Sequence, residues 1–267
     1  MMRLLKCIDI NMKESCVIAY GMVGQAAAKL FGVEKHFDIN PERSNMTLEE
    51  ASKCKIVFIC MPTPENEGNY MVDNIKSIIS QIKEYGGSQV FVMRSTVFPG
   101  FADHLKKELG VMVISNPEFL TESTWEKDTK NPDFVLLGGD ASPELDLIKG
   151  IYEARLKATS IILTDNTTAE LAKLSLNGFF TTKVVYANLI FDLCQRLKAN
   201  YGVVKEVLEK HKFGYKNHAE ISHNGGRGAG GKCLRKDMKV LASLSNTSVL
   251  KEIMNQNESY LKEFPKQ

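Results

Sequence analysis

Cys16-Val17-Ile18-Ala19-Tyr20-Gly21-Met22-Val23-Gly24 is the stretch that decides the fold. Its first five residues form an apolar run that reads as a buried strand, and Met22–Phe31 beyond it has the spacing of a helix. A strand that turns through glycine into a helix gathers backbone N–H groups and the positive end of the helix dipole at one point, which suits a phosphate. Gly21 would let the backbone approach a pyrophosphate, and Gly24 would let helix and strand pack closely. Tyr20, Met22 and Val23 complete a dinucleotide fingerprint whose first glycine is replaced by Ala19. Alone, Gly-x-x-Gly after a strand equally describes a close-packing device.

The pattern continues outward from this turn. A short run ends at Asp38, 14 residues beyond Gly24, where a carboxylate can accept hydrogen bonds from ribose hydroxyls and would repel a 2′-phosphate, so the cofactor it favours is NAD. Thr47-Leu48-Glu49-Glu50 is a capping box that opens a short helix. Residues 55–60, 89–93, 111–114, 134–137 and 160–163 are further apolar strands, with helices at 73–85, 100–109 and 142–155. Alternating strands and helices predict a doubly wound α/β domain, a parallel sheet covered on both faces. After Asp165 the character changes. Residues 166–200 contain no proline and one glycine and read as one exceptionally long helix; shorter helices follow at 203–211, 232–244 and 248–263. The expected division is 1–164, an α/β domain, and 165–267, a helical domain. Residues 1–14 precede the first strand and are not assigned.

Composition sets bounds on function. The 267 residues are 43% hydrophobic and 25% charged, the balance of a soluble globular protein. A net charge of +2 argues against nucleic acid or an anionic membrane as main partner. Residues 201–267 hold 12 Lys/Arg against 7 Asp/Glu, which suits a small anionic ligand or simply a solvated helix face. No apolar run approaches a membrane span, and the six cysteines are scattered without the close pairs of a zinc or dithiol site. We therefore expect a cytoplasmic protein with no metal.

Several other segments carry chemistry. Met61-Pro62-Thr63-Pro64 and Arg94-Ser95-Thr96-Val97-Phe98-Pro99-Gly100 follow strands, where parallel sheets bind ligands, although turn chemistry also accounts for their prolines. Asn116-Pro117-Glu118-Phe119-Leu120-Thr121-Glu122 sets two carboxylates four apart; on a helical turn they would share a face and could transfer a proton, or they are solvated acids. Lys173 and Asn177 are spaced to share one side of the long helix, where an ammonium and an amide could hold an oxyanion; most helix lysines merely face water. Finally, Gly225-Gly226-Arg227-Gly228-Ala229-Gly230-Gly231-Lys232-Cys233-Leu234-Arg235-Lys236-Asp237 puts a cysteine at the start of a helix, where N–H groups and the dipole stabilise a thiolate. Asp237 falls one turn later on the same face. A flexible linker before a buried thiol is the alternative.

Taken together, the fingerprint, Asp38-Ile39-Asn40-Pro41-Glu42-Arg43, Thr63, Ser95-Thr96-Val97, Asn-Pro-Glu-Phe-Leu, Ala169-Glu170-Leu171-Ala172-Lys173 and Gly230-Gly231-x-Cys233-x-x-Lys236-Asp237 resemble the UDP-glucose/GDP-mannose dehydrogenase family over nearly the whole chain. The resemblance implies a Rossmann-type NAD-binding domain followed by a helical central domain that dimerises through the long helix. It also implies two-step oxidation of a nucleotide-sugar 6-hydroxyl to a carboxylate, consuming two NAD. Cys233 would capture the aldehyde as a thiohemiacetal and then a thioester. Lys173 and Asn177 would stabilise the oxyanion, Thr96 and Asp237 would hold the water, and Glu118 would be the base. Tyr20–Gly24, Asp38, Arg43, Thr63, Ser95, Thr96, Glu122 and Lys236 would line the cofactor. Glu118, Phe119, Leu120, Lys173, Asn177, Asn224, Gly228 and Gly230 would meet the nucleotide sugar, with the Asn224–Gly230 loop closing over it.

The departures from the family pattern are Ala19 for glycine, Arg235 for proline, and Asn217, flanked by Lys216 and His218, near the register of an expected arginine. Typical family members carry a third, C-terminal nucleotide-binding domain, and the sequence ends near where it would start; the expectation is that a two-domain form works with altered substrate recognition, that the third part is supplied separately, or that catalysis has been lost. Two other functions are consistent with these features: a non-catalytic NAD- or nucleotide-sugar-binding homologue that forms mixed dimers, and a single-step hydroxyacid-type dehydrogenase that has no need of Cys233.

Overall fold

A computed structural model describes residues 12–212, 214–215, 217–222, 226–231 and 233–265. Asn224, expected at the substrate, lies outside the described residues, as do residues 1–11. Contacts between residues divide the chain into two compact units. The first comprises the described residues up to Thr63 with Met71–Lys173; the second comprises Pro64–Tyr70 and the described residues from Leu174 onward.

In the first unit, β1 (Ser15–Ile18), β2 (Lys35–Phe37), β3 (Ile56–Ile59), β6 (Val90–Met93), β7 (Met112–Ser115), β8 (Phe134–Gly138) and β9 (Ser160–Thr164) form one sheet. Their order is β2-β1-β3-β6-β7-β8-β9. β1, β3 and β6 are buried at every position, as strands covered on both faces must be. The helices that cover the sheet are α1 (Met22–Phe31), the short α2 (Leu48–Ala51), α3 (Asp73–Glu84), α4 (Phe101–Leu109), α5 (Trp125–Lys130) and α6 (Pro143–Arg155). Ile75, Ile79 and Ile82 form the buried stripe of α3, and Thr47 with Glu50 closes the expected capping box on α2. The Phe31 ring stacks on Phe58 at 4.6 Å and meets the edge of Tyr152 at 5.0 Å, tying α1, β3 and α6 into one core. Because the chain goes from β1 outward to β2 and then returns to β3, the order reverses between β1 and β3. That switch point opens a crevice at the strands' carboxyl ends.

Two details depart from the expected all-parallel, fully covered sheet. β7 and β8 meet through a single antiparallel pair, Ser115 with Gly138. Side chains replace the ladder there: Asn116 Nδ2 donates to Leu136 O at 3.0 Å, and Asn166 Oδ1 accepts from Ser115 N at 3.0 Å. β9, expected to be buried, is the edge strand and leaves Ile162 and Leu163 exposed.

The second unit is helical apart from a hairpin, β4 (Glu65–Asn66) and β5 (Asn69–Tyr70), which the sequence pattern did not signal. The long helix is α7 (Asn166–Leu197); its residues from Leu174 belong here with α8 (Tyr201–Lys210), α9 (Leu234–Leu244) and α10 (Ser248–Glu263). No helix among the described residues is long and apolar enough to cross a membrane.

Candidate active site

At the end of β1 the chain turns through Ala19, which keeps the left-handed φ of +71° that a glycine adopts freely. The turn requires glycine at position 24 and leaves Gly21 uncrowded. A Cβ on Gly24 would stand 2.1 Å from the Ala19 carbonyl oxygen, whereas a Cβ on Gly21, the N-cap of α1, would meet nothing within 4 Å. The space before the helix N-terminus is thus open to a pyrophosphate. Asp38 sits beside it at the end of β2, accepting from Tyr20 N at 2.7 Å and Asn40 N at 2.9 Å. The Tyr20 ring stacks on His36 at 3.7 Å. Met22 and Val23 are half-buried in the first turn of α1, and Arg43 is exposed on a 3-10 turn, Pro41–Arg43. Ile39 is 94% exposed next to Asp38, an apolar surface suited to a purine ring that sequence reasoning missed. An isolated apolar residue following an acid at a strand end was its only signal. These residues fit a dinucleotide.

The loops after β3 and β6 are bonded together. Thr63 Oγ1 donates to Thr96 O at 2.6 Å, and Ser95 Oγ donates to Ile59 O at 3.3 Å. Beneath them Met93, Ser95, Thr96, Ser115, Glu170 and Lys173 line a cavity of about 10 Å³, room for about one water. Lys173, expected to need support if it was to be more than a surface lysine, is buried, with its Nζ 3.7 Å from Glu118 Oε1 and 5.2 Å from the centre of the Phe119 ring. Glu118 Oε2 accepts from Leu120 N at 2.6 Å, which orients the carboxylate, and Phe119 packs on Phe134 at 4.8 Å. Glu122 does not join Glu118. The segment is not helical there, so the two acids do not share a face, and Glu122 is exposed.

Two further groups near this cavity were not singled out from the sequence. Glu170 on α7 accepts from Gly100 N, Ala102 N and Ser115 Oγ at 2.6, 3.0 and 3.1 Å. Burial pushes its carboxyl up to about 7 while those three donors pull it back. Arg94, buried at the end of β6, donates to Asn116 Oδ1 at 2.6 Å and to the Tyr152 hydroxyl at 2.8 Å.

In the second unit Cys233 is exposed and occupies the N-cap position of α9, its carbonyl accepting from Asp237 N at 3.0 Å. Asp237 is fully buried one turn on. Asn177 Nδ2 donates to its Oδ2 at 2.5 Å, while the Tyr70 hydroxyl and Lys236 Nζ donate to its Oδ1 at 2.5 and 2.6 Å. A carboxylate offers about four acceptor sites, so three donors leave one for a water. Nothing in the sequence marked Tyr70, which comes from the unsignalled hairpin and arrives 167 positions away from Asp237. Burial first, and the Asp237 carboxylate next, hold its phenol far above the ordinary range. Gly228 is buried at φ +83°, and Gly230 is half-buried beside it.

Residues 33–156 match the model of the UDP-glucose/GDP-mannose dehydrogenase family, NAD binding domain, and residues 167–259 match its central domain. A UDP-glucose 6-dehydrogenase of Caenorhabditis elegans is 31% identical over 225 residues, 76% of this chain and 46% of the relative. One from Rickettsia conorii is 28% identical over 80% of this chain and 51% of its own. The chain thus spans about half the length of these curated relatives. A UDP-glucose dehydrogenase structure from Pyrobaculum islandicum shares the fold with a TM-score of 0.80 at 22% identity, over 92% of this chain and 68% of that one.

Proposed function

Since the chain belongs to the UDP-glucose/GDP-mannose dehydrogenase family, with an NAD-binding domain at its N-terminal side, we propose that it is a cytoplasmic nucleotide-sugar 6-dehydrogenase acting on UDP-glucose. It works as a homodimer joined along α7, and residues 1–164 and 165–267 are its cofactor and central domains. NAD, when bound, accepts a hydride in each of two oxidations. The Tyr20–Gly24 turn, Asp38 and Arg43 would hold its adenosine and pyrophosphate side, Glu122 would lie near the nicotinamide, and Thr63, Ser95, Thr96 and Lys236 would complete the cofactor's lining.

The chain's own groups account for the remaining steps. Glu118 takes the proton of the 6-hydroxyl as the alcohol becomes an aldehyde. The Cys233 thiolate adds to the aldehyde carbon, giving a thiohemiacetal whose oxygen is steadied by the Lys173 ammonium and the second N–H of the Asn177 amide. Oxidation of that adduct gives a thioester. Water held by Thr96 and the remaining acceptor site of Asp237 attacks it, the thiolate leaves, and a carboxylate results. Phe119, Leu120, Asn224, Gly228 and Gly230 are the proposed contacts to the nucleotide sugar.

The observation that carries this reading is the burial of Lys173 beside Glu118, 7% and 11% exposed at a separation of 3.7 Å. Withdrawing two opposite charges from water is costly and gives little net stability. It is, however, what a site needs if it must supply a cation for an oxyanion and a base for a hydroxyl. Incubation with NAD and UDP-glucose is expected to yield two NADH per sugar, followed by absorbance, and Cys233→Ser is expected to halt the second oxidation. Full activity in that variant removes the covalent mechanism. Cofactor binding without NADH would instead support a non-catalytic homologue.

A further inference from the structure

The segment that carries Cys233 is gripped at both ends by consecutive residues of one helix. On its N-terminal side, Ala229 N donates to Asn257 Oδ1 at 2.7 Å and Asn257 Nδ2 donates to Ala229 O at 3.1 Å. Asn257 is only 2% exposed. On its C-terminal side, Arg235 in the first turn of α9 lays its guanidinium on Glu258, Nε to Oε1 at 2.7 Å and Nη2 to Oε2 at 2.5 Å. Asn257 and Glu258 are neighbours on α10. The approach of loop to helix is close: a Cβ on Gly228 would come within 3.2 Å of Asn257 Oδ1, Tyr260 Cβ and Leu261 Cγ.

Gly230 and Gly231 border a cavity of about 300 Å³ with Leu261, Lys262 and Pro265, and Gly231 is exposed. We propose that the Asn257–Glu258 step of α10 is a positioning clamp that sets where the Cys233 thiol stands. Asn257 supplies register, because a buried amide that both donates to and accepts from one residue tolerates no shifted alignment. Glu258 supplies direction, because a two-pronged guanidinium–carboxylate contact fixes orientation as well as distance. The catalytic consequence rests on Cys233 being the nucleophile; the mechanical one does not.

Backbone amide exchange and steady-state turnover of the full chain, measured side by side, test the clamp. Asn257→Ala is expected to speed exchange across 228–235 by about tenfold or more while amides of α7 keep their protection. It should also lower kcat by about 10- to 100-fold with KM for NAD unchanged, the size expected when a reacting atom is displaced by about 1 Å. Glu258→Gln, at a half-exposed pair that the fold can lose, should show about threefold effects of the same kind, and Arg235→Glu combined with Glu258→Arg should recover them. Loop exchange within about twofold of wild type in both variants overturns the clamp. Fast exchange with undiminished turnover upholds the mechanical clamp and overturns its catalytic consequence. If the wild-type protein gives no turnover, the dehydrogenase reading fails and exchange alone decides: acceleration upholds the clamp, no change overturns it.

Discussion

Glu170 shows how much one carboxyl can matter. It is 3% exposed and faces the N-terminus of α4, where the Gly100 and Ala102 N–H groups favour its ionised form. Burial outweighs them and raises it from an ordinary 4.5 to about 7. A group raised in the folded state stabilises the fold fully below its unfolded value and loses that contribution as pH rises through the folded one. The loss should therefore fall between pH 4.5 and about 7 and amount to about 3 kcal/mol. Glu170→Gln does not titrate, so urea unfolding across that range should show the variant gaining on wild type by about that amount as pH rises. A constant difference between the two would mean that the carboxyl does not titrate there. Ala19 carries a different kind of cost. Its φ of +71° is strained for a residue with a Cβ, by about 1–2 kcal/mol, and the turn nevertheless keeps the conformation that opens the space before Gly21.

At the scale of elements, the hairpin β4–β5 and helix α9 depend on each other. Glu65 on β4 meets Lys239 at 3.2 Å, Gly68 O accepts from Ser243 Oγ at 2.8 Å, and Tyr70 on β5 reaches Asp237. A two-stranded hairpin of this size does not stand alone in water; these three bonds hold it against one side of α9. The strongest is from the Tyr70 hydroxyl to a buried carboxylate. Tyr70→Phe is expected to cost about 1.5–3 kcal/mol in chemical denaturation, the worth of a hydrogen bond to a charged group. A loss below about 0.5 kcal/mol would mean that Lys236 and Asn177 already satisfy Asp237 without it.

For the molecule as a whole, α7 bears directly on assembly. Phe179, Tyr186, Leu189, Leu193 and Leu197 are 58, 47, 44, 37 and 66% exposed, and their spacing lines them along one stripe of the helix. An exposed apolar stripe of this length is unusual on a monomer. With a second copy of the chain as the proposed partner, light scattering should give twice the 29.9 kDa of one chain, and Leu189→Glu with Leu193→Glu should return the single mass. A wild-type protein of single mass, or a double variant that stays double, would rule out α7 as the seam.

The order of strands and helices, the turn at Gly21 and Gly24, the capping box at Thr47 and the long helix were legible in the sequence, because each is set by local periodicity or by a residue's own backbone preference. So was the cysteine at a helix start. The partners of these residues were not legible. That Lys173 is buried against Glu118, that Tyr70 caps Asp237, and that Asn257 and Glu258 grip the Cys233 segment all depend on contacts between positions tens to more than a hundred residues apart. Local propensity carries no record of such pairings. They are chosen when the core closes, because burying a charge or an amide is tolerable only where another part of the chain meets it.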